Sequence, residues 1–194
     1  MGLPALALLS YEDYLRLEQE TDVKHEFLDG EVLAMSGGTP SHADLITNTL
    51  VQLSIALAGR PCRPSNSDQK LRVLSSGFAF YPDVSVICGP RIPHPEDKNT
   101  FTNPTVLVEV LSPSTEARDR GQKFALVQAI PSLQEYVLVN TRLARVEVFR
   151  RNADPTWTLR VYGPGETVEL ASIEVNLAVD ELYARVELPP ATLA

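Results

Sequence analysis

Two acids stand where a strand should be apolar. Asp83 lies in Phe80-Tyr81-Pro82-Asp83-Val84-Ser85-Val86-Ile87, and Glu109 lies in Thr105-Val106-Leu107-Val108-Glu109-Val110-Leu111. Both stretches are rich in β-branched and aromatic residues and bounded by turn residues, which is the signature of strands. A carboxylate withdrawn from water costs several kcal/mol unless it is paired or bound to a cation. Alternate residues of a strand share a face. If the strands pair with the Tyr81/Asp83/Ser85 and Leu107/Glu109/Leu111 faces together, Asp83 and Glu109 can hold one divalent ion. Hard oxygen ligands suit Mg²⁺ or Mn²⁺. Such an ion generates hydroxide from bound water and neutralises a phosphate in flight. A nearby ammonium would assist, and Lys123 is the candidate.

The bland alternatives are concrete. Glu109 could pair with an arginine such as Arg118. Lys123 could be the i+4 surface partner of Asp119, an interaction worth little.

The elements that must position these groups follow in order. Ser10 caps a helix over about 11–20, with Asp13 as the reciprocal acid; Tyr11, Tyr14 and Leu15 share one of its faces. Asp29-Gly30 is a two-residue hairpin turn. It sets Glu26 opposite Leu33 and Leu28 opposite Glu31, so Glu26 and Glu31 share a face. That face is either solvated or the source of an additional carboxylate. After the loop Ser36-Gly37-Gly38-Thr39-Pro40, Ser41 is expected to cap a second helix, with Ile46, Leu50, Leu53 and Leu57 as its buried stripe. Gly59 and Pro61 end it. His42, in its first turn, reads as a packed residue or as a minor site member.

Gln69–Val73 reads as a strand and Gly89–Asn103 as a long surface loop. Ser114 or Thr115 caps a third helix over about 116–129, with Phe124, Val127 and Ile130 on its apolar side and Lys123 at the border. Arg118 and Arg120, near its start, would contact phosphates or remain solvated. Strands follow at 135–139 and 145–150, then β pieces at 157–162 and 167–170 and a short helix near 179–183. The sum is one mixed α/β domain spanning 1–194, with a core of about 11–183: a central sheet flanked by helices, preceded by a helix and hairpin and followed by a β extension.

Composition narrows the class. The 194 residues are 44% hydrophobic and 22% charged, with a net charge of −8. That excludes a generally basic, nucleic-acid-coating protein but not an enzyme with a local basic patch. The apolar run Met1–Leu9 lacks a basic start and a cleavage-like site, so no signal peptide is read there, and no run reaches transmembrane length. Cys62 and Cys88 lie in no ligand spacing and are expected to be reduced thiols in a cytoplasmic protein. His25, His42 and His94 are too scattered for a zinc site. No phosphate-binding glycine motif or nucleophile elbow occurs. Apolar material at Val146, Val148 and Phe149 would suit a homodimer.

Several segments carry a resemblance. Tyr81-Pro82-Asp83, Glu109-Val110-Leu111-Ser112-Pro113-Ser114-Thr115 and Asp119-Arg120-Gly121-Gln122-Lys123-Phe124 resemble the Uma-type endonuclease family. So do His25 to Glu31, Ser41-His42 and Pro131 to Val139. This family is a branch of the PD-(D/E)XK restriction-endonuclease-like superfamily that was long a domain of unknown function. The resemblance covers about 11–183. It implies a mixed sheet with helices on both sides and Asp83 and Glu109 as metal ligands. It also implies Glu26 as a further acid of the site and His42 as a weaker match. The superfamily's lysine, two residues after the second acid, is replaced here by Leu111; Lys123 on the next helix is its match. Val127 stands where the family has a tyrosine. The expected activity is Mg²⁺-dependent hydrolysis of DNA. A catalytically degenerate binding or assembly module, and a hydrolase of a smaller phosphoester, remain the alternatives.

Overall fold

The computed structural model describes residues 8–35 and 37–190. Most of the apolar N-terminal run and Ser36 of the first loop therefore lie outside the described residues. Helix α1 (Tyr11–Glu20) is followed by the hairpin strands β1 (His25–Leu28) and β2 (Glu31–Ala34), then helix α2 (Pro40–Ala56). Strands β3 (Cys62–Asn66), β4 (Leu71–Arg72), β5 (Ala79–Phe80), β6 (Val84–Cys88), β7 (Pro93–His94), β8 (Asp97–Phe101) and β9 (Val106–Leu111) come next. A helical rod follows, made of α3 (Glu116–Arg118), a π-helical turn (Asp119–Lys123) and α4 (Phe124–Val127). Strands β10 (Glu135–Asn140), β11 (Val146–Arg151), β12 (Trp157–Tyr162), β13 (Thr167–Leu170) and β14 (Val175–Ala178), with helix α5 (Val179–Leu182), complete the chain.

Among the described residues the strands form two six-stranded sheets and a two-stranded ribbon. The smaller-element sheet runs β2-β1-β5-β4-β8-β7, and the main sheet runs β12-β11-β10-β9-β6-β3. In the main sheet β9 and β10 are parallel, while the other pairs are antiparallel. Both faces of the main sheet are covered, so its central strands are apolar on both sides. Val106, Val108, Val110, Val137, Val139, Val146 and Val148 pack toward α2 and the C-terminal ribbon. Leu107, Leu111, Tyr136 and Leu138 pack on the opposite side with Val127 and Ile130, and Phe124 stacks on the Tyr136 ring at 5.1 Å. The architecture is thus mixed α/β, as expected. Among the described residues no helix is long and apolar enough to cross a membrane.

Local signals placed much of this. Ser10 and Asp13 form the reciprocal capping box of α1. Asp29 and Gly30 both take positive φ, 51° and 87°, the conformation that the tight hairpin turn demands. The pairs Glu26↔Leu33 and Leu28↔Glu31 follow from it.

Other expectations are corrected. The cap of α2 is Thr39, not Ser41: the Thr39 hydroxyl accepts from the His42 N–H, and Pro40 takes the first helical position, where its missing N–H costs nothing. Of the expected stripe Leu53 and Leu57 are buried and Ile46 and Leu50 pack half-buried against the core, while Leu45 and Thr49 are buried in addition. Strand 80–87 is broken: β5 belongs to one sheet and β6 to the other, and Tyr81-Pro82-Asp83 is the crossing. The expected strand over Gln69–Val73 keeps only Leu71–Arg72. The expected loop Gly89–Asn103 contains the pair β7–β8; its sequence is polar and gives no alternation, and a buried Lys70–Asp97 ion pair at 2.9 Å holds it.

The cysteines are also corrected. β3, unread in the sequence, lies antiparallel to β6 with Cys62 opposite Cys88, and the two form a disulfide. The expectation of reduced thiols falls, and with it their support for a cytoplasmic protein. Val146 and Val148 are buried and Phe149 packs on Phe124, because β12 covers that edge. The two valines offer no surface to a partner, and Phe149 is half-buried.

Candidate active site

The acids converge where the two sheets meet. β6 and β9 pair with Val84 opposite Val108 and Ser85 opposite Leu107. One further step along that ladder sets Asp83 across from Glu109. The Asp83 carboxylate turns back onto the second strand and accepts the Val110 N–H at 2.7 Å. Pro82 explains the position: it cannot donate to a ladder, so pairing lapses there and the next residue is released from the sheet.

Glu26 enters from the other sheet, on β1, and is buried while its face-mate Glu31 is exposed. Lys123 descends from the helical rod into the space between. Its Nζ lies 2.8 Å from Glu109 Oε1, 3.2 Å from Glu26 Oε1 and 3.8 Å from Asp119 Oδ1. Arg118 pairs with the other oxygen of Glu26. The expected alternative of a Glu109–Arg118 pair is therefore not what forms. His42 Nε2 stands 3.5 Å from Asp83 Oδ2. Its ring is backed by Gly38, where a Cβ would come within 2.4 Å of Nδ1, so the Gly-Gly loop is what lets the imidazole sit there.

Asp119 and Lys123, four apart and so on one face, are the buried residues of the π turn. One extra residue in a helical turn shifts the phase of the surface, and such turns recur at functional sites. The rod is anchored on both sides of it. The Tyr136 hydroxyl donates to the Asp119 carbonyl at 3.0 Å. Arg120 reaches Glu147 through both terminal nitrogens and Glu116 through Nε at 2.9 Å. Glu109, Leu138 and Glu147 lie in one row across the sheet, on the same face. The rod thus rests on two acids of that row, through Lys123 and through Arg120. Arg120 is committed to this anchorage, whereas Arg118 stands at the rim. Val127 is wholly buried in the core beneath the rod.

The electrostatics follow from burial. Desolvation pushes Glu109 well above the usual carboxylate range; Lys123 opposes the shift, while Asp83 and Asp119 add to it. Asp119 is raised for the same first reason. Burial disfavours the charge on Lys123, yet Glu109, Glu26 and Asp119 outweigh it and hold the ammonium above its ordinary pKa. For His42 too burial lowers and the Asp83 carboxylate raises, with a net rise.

The donor set fits a hard divalent cation. Every candidate ligand is a carboxylate oxygen, and Glu109 Oε1 and Glu26 Oε2 are buried beside cations without making aligned hydrogen bonds. Among the described residues no three His, Cys, Asp or Glu side chains form a ready ligand cluster. Mg²⁺ does not require one, since it keeps several waters and takes one or two carboxylates together with substrate oxygens.

Sequence reasoning passed over two members of this arrangement. For Asp119 the i+4 spacing to Lys123 is legible in the sequence, its burial is not. Glu147, between Val146 and Val148, carries the same signal as Glu109, an acid inside an apolar strand.

Comparison with known proteins gives the fold and the family. The uncharacterized protein slr1290 of Synechocystis sp. (strain ATCC 27184 / PCC 6803 / Kazusa) is 39% identical over 177 residues, covering 90% of this chain and 91% of the relative. The uncharacterized protein sll1609 of the same organism is 31% identical over 176 residues, covering 90% and 99%. A crystal structure described as a putative nuclease belonging to DUF820 from Anabaena variabilis ATCC 29413 shares the fold. Its TM-score is 0.74 at 18% identity, with 91% of this chain and 98% of that one covered. The model of the Uma2 family, described as "Putative restriction endonuclease", matches residues 11–181, and the chain belongs to that family.

Proposed function

We propose that the protein hydrolyses phosphodiester bonds in DNA with a divalent cation, Mg²⁺ or Mn²⁺, held by Asp83 and Glu109. The observation that carries the reading is Lys123 buried among Glu26, Glu109 and Asp119, beside the strand entry that presents Asp83. A cluster of this kind is a poor source of stability, because desolvation offsets most of its attraction. Perturbed, buried ionisable groups concentrate at functional sites. Family membership and the nuclease fold support the same reaction class.

The bound cation would supply a nucleophilic hydroxide and charge neutralisation at the phosphate. The chain's own residues do the rest. The Val110 N–H and His42 orient the Asp83 carboxylate. Lys123 stays protonated and offers its donors where negative charge builds on the phosphate. Glu26 positions Lys123 with one oxygen and Arg118 with the other. Arg118, at the rim, is the group that can turn toward a neighbouring phosphate. The π turn and the Arg120–Glu147 anchor fix the height of Lys123 over the sheet.

One observation favours a second reading, a nuclease fold kept as a binding module: the Lys123 ammonium already stands at Glu109, where a cation would be expected. A nicking assay on supercoiled plasmid separates the two. It runs with Mg²⁺, Mn²⁺ or chelator, on wild type, Asp83→Ala and Lys123→Ala, beside calorimetric titration of metal. Metal-dependent nicking lost in both variants is the expected result. Absence of both nicking and metal binding by the wild type would leave the binding module.

A further inference from the structure

We propose that the cavity beside Glu26 is a subsite for one unstacked nucleobase of the strand being cut, so that the enzyme selects unpaired or easily extruded bases. The proposal rests on the phosphodiesterase reading above. The cavity is about 690 Å³, between the β1–β2 hairpin, the chain entering α1 and the rim of the lysine-bearing rod. That lies within the usual range of small-ligand sites. Glu26 is its shared wall: this carboxylate lines the cavity and stands 3.2 Å from the Lys123 ammonium. A group in the cavity is therefore one side chain away from the phosphate position.

The lining says what the group is. Leu8, Leu28 and Leu33 form aliphatic walls. Leu8 and Leu33 remain 69% and 53% exposed, much for large apolar side chains in one recess. The polar members are Glu26, Glu31, Arg118 and Gln122. Two carboxylates against one guanidinium, on a chain of net charge −8, make this a poor seat for a second phosphate. A flat, uncharged body with hydrogen-bonding edges fits it: aliphatic side chains cover the ring faces, and the polar groups meet the edges. Glu31 only accepts, so it favours a base with an exocyclic amino group; the Gln122 amide both donates and accepts. Thymine, whose single donor is a ring N–H, is the weakest match. Arg118, between cavity and lysine, is placed to hold the phosphate attached to that base. Extrusion from a duplex costs a few kcal/mol, and least where the base is mismatched or single-stranded.

The test uses the full chain with chelator present, so that nothing is cut. A short single strand carries 2-aminopurine internally and a dye at its end. Dye anisotropy reports binding, and 2-aminopurine emission rises when the base leaves its stack. Wild type is expected to raise both signals, with thymine homopolymer the poorest competitor. Leu33→Trp fills the mouth of the cavity from an exposed position, so folding is not at stake. It should abolish the emission rise and weaken binding about tenfold, the scale of one lost base contact. Glu31→Ala, at an exposed position, should narrow the difference between competitors. Binding with no emission rise, or a rise untouched by Leu33→Trp, overturns the subsite and leaves the phosphodiesterase standing. No binding here, together with no plasmid cleavage in metal, removes both.

Discussion

Lys123→Met leaves three buried carboxylates without their common cation. Glu26, Glu109 and Asp119 are each nearly inaccessible, as is the lysine itself. At an effective dielectric of about 20, charges at these separations attract by roughly 4–6 kcal/mol each. Most of that is cancelled by desolvation and by repulsion among the acids. Breaking such a buried pair from one side typically costs about 3–5 kcal/mol, and that is the expected loss near neutral pH. The loss should depend on pH. Burial already holds Glu109 above the usual carboxylate range, and removing Lys123 raises it further. Between the unfolded value of about 4.3 and this raised folded value, the folded protein binds more protons, so stability falls as pH rises. Urea unfolding followed by circular dichroism at about pH 5 and about pH 8 should show the larger deficit at the higher pH. Adding Glu109→Gln should recover much of it, a coupling that a double-mutant cycle measures. A loss under about 1 kcal/mol, the value of an exposed pair, with no coupling to Glu109, would refute the reasoning.

Three further outcomes follow from other parts of the molecule. Arg120→Met removes both bonds to the nearly buried Glu147 and should cost about 2 kcal/mol in urea unfolding, with Arg145 at 2.9 Å retaining part of the compensation. His94 is lowered from its ordinary pKa by burial and then by Arg72. The unfolded chain then takes the proton first, so this contribution is complete above about pH 6.5 and is lost as pH falls through the lowered folded value. His94→Gln should flatten that acid limb of the stability curve. Cys62→Ser with Cys88→Ser opens a cross-link between residues 26 apart and should lower stability by about 3 kcal/mol, a loss that reductant reproduces in the wild type.

The parts legible in the sequence are those fixed by neighbours along the chain. The Ser10–Asp13 box, the Asp29-Gly30 turn and the apolar strand around Glu109 depend on residues within a few positions, and the structure contains each. A lone acid in an apolar run is itself a local signal, because its burial would be costly anywhere. Lys123 is legible only through the resemblance and its place on the helix border. The rest depends on partners far away in the chain. Burial of Asp119 requires a sheet beneath the rod. The Cys62–Cys88 link requires β3 to find β6, and no spacing rule encodes that pairing. The break at Pro82 is visible as a residue, but that it divides two sheets, and so gathers Glu26 from one and Glu109 from the other, is decided by topology. Sequence alone thus determined which groups would be expensive to bury. Tertiary structure decided which of them share one dry space, because the desolvation that makes Glu109 and Lys123 interdependent exists only once both sheets and the rod have closed around them.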